Sequence, residues 1–513
     1  MLTKHMLRYS SGLLLLVSAC VLNGQTLVAS NPQGTASARA AAAQPASAAP
    51  IGSGHSLNVF VWERARGDAW QWFSAPPYRN EYRYLQSFLR VGMTQRIARW
   101  DWELEMGQPA VLDAPSDAIA PGAQGQLGLG GSYYAASGNN SYPAAAFLKQ
   151  GFVRYALGED KAVRLGRFEF FGGTETHPKD PTMLWLQNNR MQQRLIGNFG
   201  FANAMRSFDG IDAHASWGAW NLTGAVARAD QGVFNMNGNP EINVDFQYLA
   251  LTRTAAKGHV IARAFGIGYH DGRTGLTKSD NRPLAVRQTD HKNIRLGTYG
   301  GSVIATAPAG PGLFDFLFWG ALQNGNWGKL SDSAGAAAVE GGYRATKIAT
   351  QPWLRAGWLR ETGDNNPADN KQNTFSQLLP TPRVYGRLPF YNMMNTADTF
   401  VQVIDRPAKR LELRSDLHWI DLASNRDLWY SGGGAFDNKV FGFTGRPANG
   451  HSSFASVADI SSDWQATSHF AFNVYYGYGW GKSVVRSIYP KGPNIQLGYL
   501  EMIYRWGTAP APK

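Results

Sequence analysis

Arginines and acids recur within one stretch of the chain, from Ala162 to His214. The arginines are Arg164, Arg167, Arg194 and Arg206. The acids are Glu169, Asp209 and Asp212. A guanidinium stays charged at physiological pH and forms a two-pronged set of hydrogen bonds with a carboxylate. These residues therefore predict either a binding surface for an anionic solute or a set of ion pairs that braces a loop, and both roles can hold for different arginines.

The same stretch has the pattern of two strands joined by a long polar loop. Val163, Arg164 and Leu165 alternate between apolar and polar, which is the period of a β-strand and does not fit a helix. The segment 205–212 begins a second strand. We therefore expect Arg164 to point away from the apolar face, and Arg206 to lie where the loop enters the next strand.

A second segment, 364–370, is rich in side-chain oxygens. Asp364, Asn366 and Asp369 follow one another closely there. Because Ca²⁺ prefers oxygen ligands, these three residues form a candidate weak calcium site in an extracellular loop. The segment lacks the twelve-residue calcium loop with its bidentate Glu, and a series of Asx turns on a solvent-exposed loop is the alternative. No other cofactor is expected.

Enzyme signatures are missing from the sequence. There is no Gly-x-Ser-x-Gly and no His-Glu-x-x-His segment. The ten His residues show no metal-ligand spacing. Residues 128–131 form a Gly-rich loop, but the dinucleotide-binding pattern is incomplete and no helix is predicted to follow it. We therefore do not expect an enzyme.

Several other segments alternate between apolar and charged residues, as strands with one apolar and one polar face do. In the segment 98–106, Trp102 and Leu104 share the apolar face. The polar residues of that segment are Arg99, Asp101, Glu103 and Glu105. The segment 411–419 repeats the pattern, and its polar residues are Glu412, Arg414, Asp416 and His418. The same alternation predicts further inward-facing arginines at Arg90, Arg355 and Arg505.

An apolar strand face can cover the core of a soluble β-protein or face lipid. The polar faces carry clustered charges of both signs, and the apolar faces end in Trp and Tyr. Aromatic residues at strand ends are typical of the interface girdles of membrane barrels, whose interior is polar. This pattern favours a lipid-facing exterior around a polar lumen.

The joints between strands alternate between short and long. The short ones are at residues 92–95, 158–161, 218–219, 255–258, 308–312, 346–350, 405–409 and 466–468. The long polar ones are at residues 107–144, 171–208, 270–292, 361–397 and 424–453. Outer-membrane barrels have short periplasmic turns and long extracellular loops. The sequence thus predicts one antiparallel barrel of about eighteen strands.

Composition agrees with a single large barrel and argues against nucleic-acid binding. The chain has 513 residues, of which 12% are aromatic and only 17% charged. Beyond the N-terminus no apolar run is long enough for a membrane-spanning helix. The formal net charge is +12, but the basic residues are spaced singly and form no Lys/Arg-rich run for nucleic acid. They suit a surface that handles anions.

The N-terminal residues predict export. Residues 1–24 read as a cleaved signal peptide, and residues 25–55 as a disordered linker rich in Ala, Ser and Pro. The single cysteine, Cys20, lies in the leader, and lipid attachment to it is an open alternative. The barrel is expected to span residues 56–506, followed by a tail at 507–513.

Two spaced blocks of the sequence resemble the alginate export family of bacterial outer-membrane barrels. The first comprises Arg-Leu-Gly-Arg at 164–167, Arg-Leu-Ile-Gly at 194–197 and Arg-Ser-Phe-Asp-Gly at 206–210. The second comprises Gly-Asp-Asn-Asn-Pro at 363–367 and Thr-Phe-Ser-Gln-Leu-Leu-Pro-Thr at 374–381. The resemblance covers residues 56–506. It implies a barrel that conducts an anionic polysaccharide through an arginine-rich constriction.

The strand pattern and the basic residues predict an outer-membrane channel for passive passage of anionic solutes, and the resemblance implies that the solute is an alginate-like, uronate-rich polysaccharide. The arginines predicted to line the pore are Arg90, Arg99, Arg164, Arg167, Arg194, Arg206, Arg355, Arg414 and Arg505. A porin for small carboxylates or sugars is the first alternative, and an outer-membrane enzyme or adhesin is the second. The expected partners are outer-membrane lipid and lipopolysaccharide, the transported anion and the barrel assembly machinery, without nucleic acid.

Overall fold

The structure is a computed structural model that describes residues 57–508. The predicted signal peptide and linker, Cys20 and tail residues 509–513 lie outside the described residues. Within the described part, 21 strands and four short α-helices follow one another along the chain.

Eighteen of these strands form one closed antiparallel barrel, as predicted. They are β1 (Leu57–Gln71), β2 (Glu81–Ile97), β3 (Trp100–Leu112), β4 (Phe147–Gly158), β5 (Lys161–Phe168), β6 (Phe208–Trp217), β7 (Trp220–Asp230), β8 (Glu241–Ala255), β9 (Val260–Asp271), β10 (Ile294–Ala309), β11 (Gly312–Trp327), β12 (Leu330–Arg344), β13 (Trp353–Glu361), β15 (Thr396–Ala408), β16 (Leu411–Leu422), β19 (Ser453–Trp464), β20 (Phe470–Gly481) and β21 (Asn494–Gly507). The three remaining strands lie in loops and are β14 (Lys371–Gln372), β17 (Leu428–Gly432) and β18 (Phe443–Pro447).

The barrel closes where the first and last strands meet. β1 pairs with β2 on one side and with β21 on the other, and the second ladder runs from the pair Phe60–Gly507 to the pair Gln71–Gln496. Closure leaves no unpaired strand edge, which is a requirement for a sheet in hydrocarbon.

Alternation along each strand separates an outer from an inner face. In β16, Leu417 and Trp419 are exposed, whereas Arg414, Asp416 and His418 are buried. β3, β20 and β21 show the same alternation. The faces therefore follow the predicted assignment, with apolar side chains on the outer wall and the charged side chains inside.

Tight connections join the strands at one end of the barrel, where both termini of the described chain also lie. One predicted joint, at residues 92–95, is wrong because these residues lie inside β2. The chain turns instead at Ala98 and Arg99, where Ala98 has a φ of 53° and so leaves the extended conformation. At the opposite end most connections are long, although residues 328–329 join β11 to β12 there.

The long loops carry the helices. They are α1 (Leu129–Ala136), α2 (Pro181–Leu186), α3 (Leu284–Gln288) and α4 (Ser483–Ile488). Contrary to prediction, a helix is present at the Gly-rich residues 128–131, because α1 begins at Leu129, directly after Gly128, and includes Gly130 and Gly131. α2 begins at a proline, and the Asp180 side chain accepts hydrogen bonds from the first-turn amides of Thr182 and Met183. None of the helices among residues 57–508 is long and apolar enough to cross a membrane.

Two loop segments fold into the barrel and fill much of its interior. The first, residues 169–207, contains α2 and a π-helical turn (Gln187–Met191). The second, residues 374–395, packs against it through an amide hydrogen bond from Gly197 to Leu379 O. We call these two segments the plug segments. Their side chains are mostly buried, so they bring loop arginines into the lumen.

Candidate functional site

The first ionic cluster of the lumen lies where β2, β3 and β4 meet the first plug segment. Arg90 forms ion pairs with Glu105 on β3 and with Glu169, whose Oε2 lies 3.1 Å from Arg90 Nη2. Lys149 Nζ contacts Glu169 Oε1 at 3.1 Å. Burial would raise the pKa of Glu169, but Arg90 and Lys149 outweigh it and hold the pKa at about 2. The cluster joins the plug to the wall.

Two further acids on β3 have partners on β4. Asp101 accepts from Arg154 Nε at 2.9 Å, and Glu103 accepts from Gln150 Nε2 at 2.9 Å. Arg99, in contrast, lies in the exposed turn before β3 and does not line the lumen. The sequence analysis placed the turn at residues 92–95 and therefore assigned Arg99 to the following strand. The chain instead turns at Ala98 and Arg99.

The two arginines of β5 lie on opposite sides of the wall. Arg164 points inward and pairs with Asp212 on β6, with 2.9 Å between Arg164 Nε and Asp212 Oδ2. Arg167 pairs with Asp209. It lies two residues after the exposed Leu165 and therefore points to the same, outer side of the wall. The Arg167–Asp209 pair therefore lies on the outer side, near the loop end. The prediction that Arg167 lines the pore is wrong, whereas its pairing with Asp209 follows the alternative in which these arginines form ion pairs. Because side chains alternate, residues 164 and 167 cannot share a face.

A second ionic cluster lies on β11, β12 and β13. Arg355 Nη2 lies 2.9 Å from Asp315 Oδ1, and Arg355 Nη1 lies 2.8 Å from Glu340 Oε2. Arg190 of the first plug segment donates to the same Glu340 oxygen at 3.0 Å. Tyr385 of the second plug segment donates to Glu340 Oε1 at 2.9 Å. Glu340 thus binds both plug segments to the wall, a role that the sequence analysis missed for Arg190 and Glu340.

The other predicted wall residues are also paired or peripheral. Arg414 Nε donates to Asp416 Oδ2 at 2.6 Å on the same strand. Glu412 accepts from Arg406 at 2.7 Å and from the Trp185 indole of α2 at 3.1 Å. Arg505 lies close to the periplasmic end of β21 and is partly exposed. Most inward wall arginines are therefore neutralised by carboxylates.

Arg194 and Arg206 of the first plug segment form no ion pair with a described residue. Arg194 Nη2 donates to Tyr385 Oη at 2.6 Å and to Arg190 O at 2.9 Å, and its guanidinium stacks on the Trp319 ring at 4.5 Å. Arg206 is fully buried and donates to three backbone carbonyls at 2.9 Å each, those of Gly197, Gly433 and Ala435. Burial lowers the pKa of Arg206 to about 10, so it stays charged at neutral pH. Through these contacts Arg206 links the first plug segment to the loop that contains Gly433 and Ala435, which is a structural role.

Two arginines of the second plug segment were missed by the sequence analysis. Arg383 is partly exposed, and its guanidinium lies 3.5 Å from the centre of the Phe201 ring. Its Nε donates to Arg387 O, whereas its Nη2 has no hydrogen-bond partner. Burial lowers the pKa of Arg383, and no carboxylate forms an ion pair with it among residues 57–508. Arg383 and Arg387 closely follow the family-like block at 374–381. That block was the sequence feature that could have identified them.

The three candidate calcium residues have different surroundings. Asp364 is buried and its Oδ1 accepts from Asn373 Nδ2 at 3.0 Å. Asn366 and Asp369 are exposed, and each accepts a backbone amide two residues ahead. These local turns follow the Asx-turn alternative, and calcium binding stays a prediction.

Comparison with known proteins agrees with the architecture. The fold is similar to the outer membrane protein OpdK from Pseudomonas aeruginosa, with a TM-score of 0.53, 7% identity and coverage of 88% of this chain and 99% of OpdK. It is also similar to OccAB2 from Acinetobacter baumannii, with a TM-score of 0.55, 7% identity and coverage of 88% and 98%. OpdK with vanillate matches at a TM-score of 0.52, 7% identity and coverage of 88% and 99%. At such identities the likeness concerns the fold alone.

Sequence comparison identifies the family. No curated protein matches the chain. The family model described as alginate export matches residues 184–481, more than half of the chain, including the second family-like block and the plug residues from Arg190 onward. An apolar outer wall, a polar interior and a closed barrel place the protein in the outer membrane as a channel. The chain belongs to the alginate export family of outer-membrane β-barrels.

Proposed function

We propose that this channel passes an anionic polymer of the alginate type, or related anionic solutes, and that guanidinium groups of the plug segments select for negative charge. The wall arginines do not carry this selectivity because carboxylates neutralise most of them. The plug segments stand across the lumen, where water is scarcer and charges are screened less than along a wide wall. A few uncompensated cations there outweigh paired charges elsewhere, as charged rings do in other pores.

The proposal rests mainly on the surroundings of Arg383. This residue is partly exposed, lies in a plug segment and forms no ion pair among the described residues. The Phe201 ring beneath it holds the guanidinium plane in place. A guanidinium in this state suits the planar carboxylate of a uronate sugar. Arg194, stacked on Trp319, contributes a second guanidinium without an ion pair among the described residues.

Passage of small carboxylates is the second candidate. The plug segments occupy the lumen with buried side chains, and a polymer needs a continuous path past them. A small anion needs only a narrow gap. OpdK, whose fold resembles this one, has been solved with vanillate. The two candidates share anion selectivity and differ in the size of the solute.

Charge selectivity is tested in a planar bilayer. We expect the purified wild-type channel to show an anion-selective reversal potential across a KCl gradient. Arg383→Ser and Arg194→Ser should each shift the potential toward cation preference, and the double variant should shift it further. Arg253→Ser is the matched control, because Arg253 is exposed near the periplasmic turn on β8. A cation-selective wild type, or equal shifts in Arg383→Ser and Arg253→Ser, would contradict the proposal.

The size of the solute is tested by current block. Alginate oligomers of increasing length are added to one side of the bilayer, with benzoate as the small carboxylate. Voltage-dependent block by long oligomers that weakens in Arg383→Ser supports the polymer. Permeation of benzoate without any block by long oligomers supports the small-carboxylate channel.

A further inference from the structure

A histidine and three aspartates cluster on three adjacent strands, apart from the plug arginines. Asp398 lies on β15, Asp416 and His418 lie on β16, and Asp459 lies on β19. Asp416 and Asp459 face each other directly in the ladder between β16 and β19, and His418 is two residues along on the same face. All four side chains are buried.

Three polar atoms in this cluster have no hydrogen-bond partner, and the first is Asp398 Oδ1. His418 Nδ1 lies 2.8 Å from Asp398 Oδ2, whereas His418 Nε2 has no partner. Asp459 Oδ2 accepts from Tyr475 Oη at 3.2 Å, whereas Asp459 Oδ1 has no partner. A buried polar atom without a partner costs about 1–3 kcal/mol. One potential ligand atom from each of Asp416, His418 and Asp459 lies within 4.8 Å of the other two.

We propose that Asp416, His418 and Asp459 bind a divalent metal ion such as Zn²⁺, with His418 Nε2 and one oxygen of each aspartate as ligands. Zinc accepts imidazole nitrogen and carboxylate oxygen at about 2.0–2.2 Å, so its ligand atoms lie roughly 3–4 Å apart. From separations of up to 4.8 Å, the ligand atoms need to approach one another by roughly 1–2 Å. Metal binding would give partners to His418 Nε2 and Asp459 Oδ1 at once.

The surroundings match those of a metal-binding histidine. A ligand histidine usually donates its other ring N–H to a carboxylate, which fixes the tautomer and the ring orientation. Asp398 is in that position at His418 Nδ1. Three guanidiniums lie near these aspartates, those of Arg414, Arg387 and Arg190, and Arg190 is paired with Glu340. Three aspartates therefore face two remaining guanidiniums, so negative charge remains for a cation.

The rival explanation is a doubly protonated His418 that bridges the aspartates without metal. Direct metal analysis distinguishes the metal site from the protonated histidine. Its result does not depend on what the channel transports. The mature barrel is purified in detergent, treated with a chelator, dialysed against Zn²⁺ and freed of unbound metal. Bound zinc is measured by mass spectrometry, and Co²⁺-loaded protein is examined for visible ligand-field absorption.

We expect one zinc per wild-type chain, and a loss of at least tenfold in affinity in His418→Gln and Asp459→Asn. Asp398→Asn should weaken binding about 10–100-fold, as loss of an orienting carboxylate does. His270→Gln is the matched control, because His270 Nδ1 lies 3.4 Å from Asp245 Oδ2 but belongs to no three-ligand cluster. Folding of each variant is checked by the fast migration of the unheated barrel on a gel. A metal-free wild type would overturn the proposal, and so would a His418→Gln variant that retains as much zinc as the wild type. If a variant does not fold, the zinc content of the wild type alone decides.

Discussion

Arg90 and Glu169 join the barrel wall to the first plug segment, with 3.1 Å between Arg90 Nη2 and Glu169 Oε2. Arg90 lies within β2, whereas Glu169 is the first residue after β5. Lys149 binds the second oxygen of the same carboxylate, and Asn198 of the plug donates to it at 2.7 Å. One carboxylate therefore fixes the start of the plug and a point near its end.

Glu169→Gln should destabilise the folded barrel, because Arg90 and Lys149 would stay buried without the full countercharge. Removal of one partner from a buried ion pair costs about 3–5 kcal/mol. Unfolding in urea, followed by the shift between fast and slow gel migration, measures the change. Glu159→Gln, in the exposed turn after β4, is the control and should leave the unfolding midpoint unchanged.

The same carboxylate predicts a pH dependence of stability. The pKa of Glu169 falls from 4.5 to about 2 on folding, so its contribution is fully present above about pH 4.5 and is lost as the pH falls toward 2. Between these values, the unfolding midpoint of the wild type should fall more steeply than that of Glu169→Gln. Parallel slopes for the two proteins would show that Glu169 is not ionised in this network.

Leu104→Arg should test the lipid-facing assignment of β3. Leu104 is 44% exposed on the outer face in the middle of the strand. A charged arginine on the lipid face costs about 2–4 kcal/mol at the bilayer midplane and about 0–1 kcal/mol near the interface. Gln108 also faces outward but lies closer to the loop end of β3, so Gln108→Arg should cost less folding free energy than Leu104→Arg. Folding efficiency into lipid vesicles gives both values, and equal costs would contradict the predicted depth.

Arg206→Ser should loosen the plug without changing the charge preference of the channel. The substitution leaves the carbonyls of Gly197, Gly433 and Ala435 without their donor, at about 1–3 kcal/mol for each buried group that stays unpaired. Hydrogen exchange should therefore accelerate in the segments around residues 197–206 and 433–435. The reversal potential should change less than in Arg383→Ser. A shift as large as that of Arg383→Ser would instead place Arg206 on the permeation path.

Arg355→Met should destabilise the wall cluster, because it leaves Asp315 and Glu340 without the guanidinium that bridges them. The expected loss is about 3–5 kcal/mol. Arg355→Lys should be intermediate, since an ammonium keeps the charge but cannot form the fork. Arg360→Met, exposed on the same strand, is the control. The temperature of the gel-mobility shift ranks the three variants, and equal temperatures for Arg355→Met and Arg360→Met would refute the bridging role.

Local patterns in the sequence determined the barrel and its faces. Side chains in a strand alternate with a period of two, so the parity of Leu417 and Trp419 against Arg414 and Asp416 was sufficient to separate outside from inside. The lengths of the connections indicated which end carries the loops. A parity assignment holds only within one strand, and it failed for Arg99 because a turn intervenes at Ala98.

The partners of the charged side chains depended on tertiary structure. Whether Glu340 meets Arg190, or Asp459 meets His418, depends on which strands become neighbours and how the plug segments fold inside the barrel. These contacts join residues that are far apart in the chain, and no local period encodes them. For the same reason the sequence predicted an arginine-rich interior but could not separate the neutralised wall arginines from Arg383. Only folding brings carboxylates to the wall arginines and leaves that guanidinium without one.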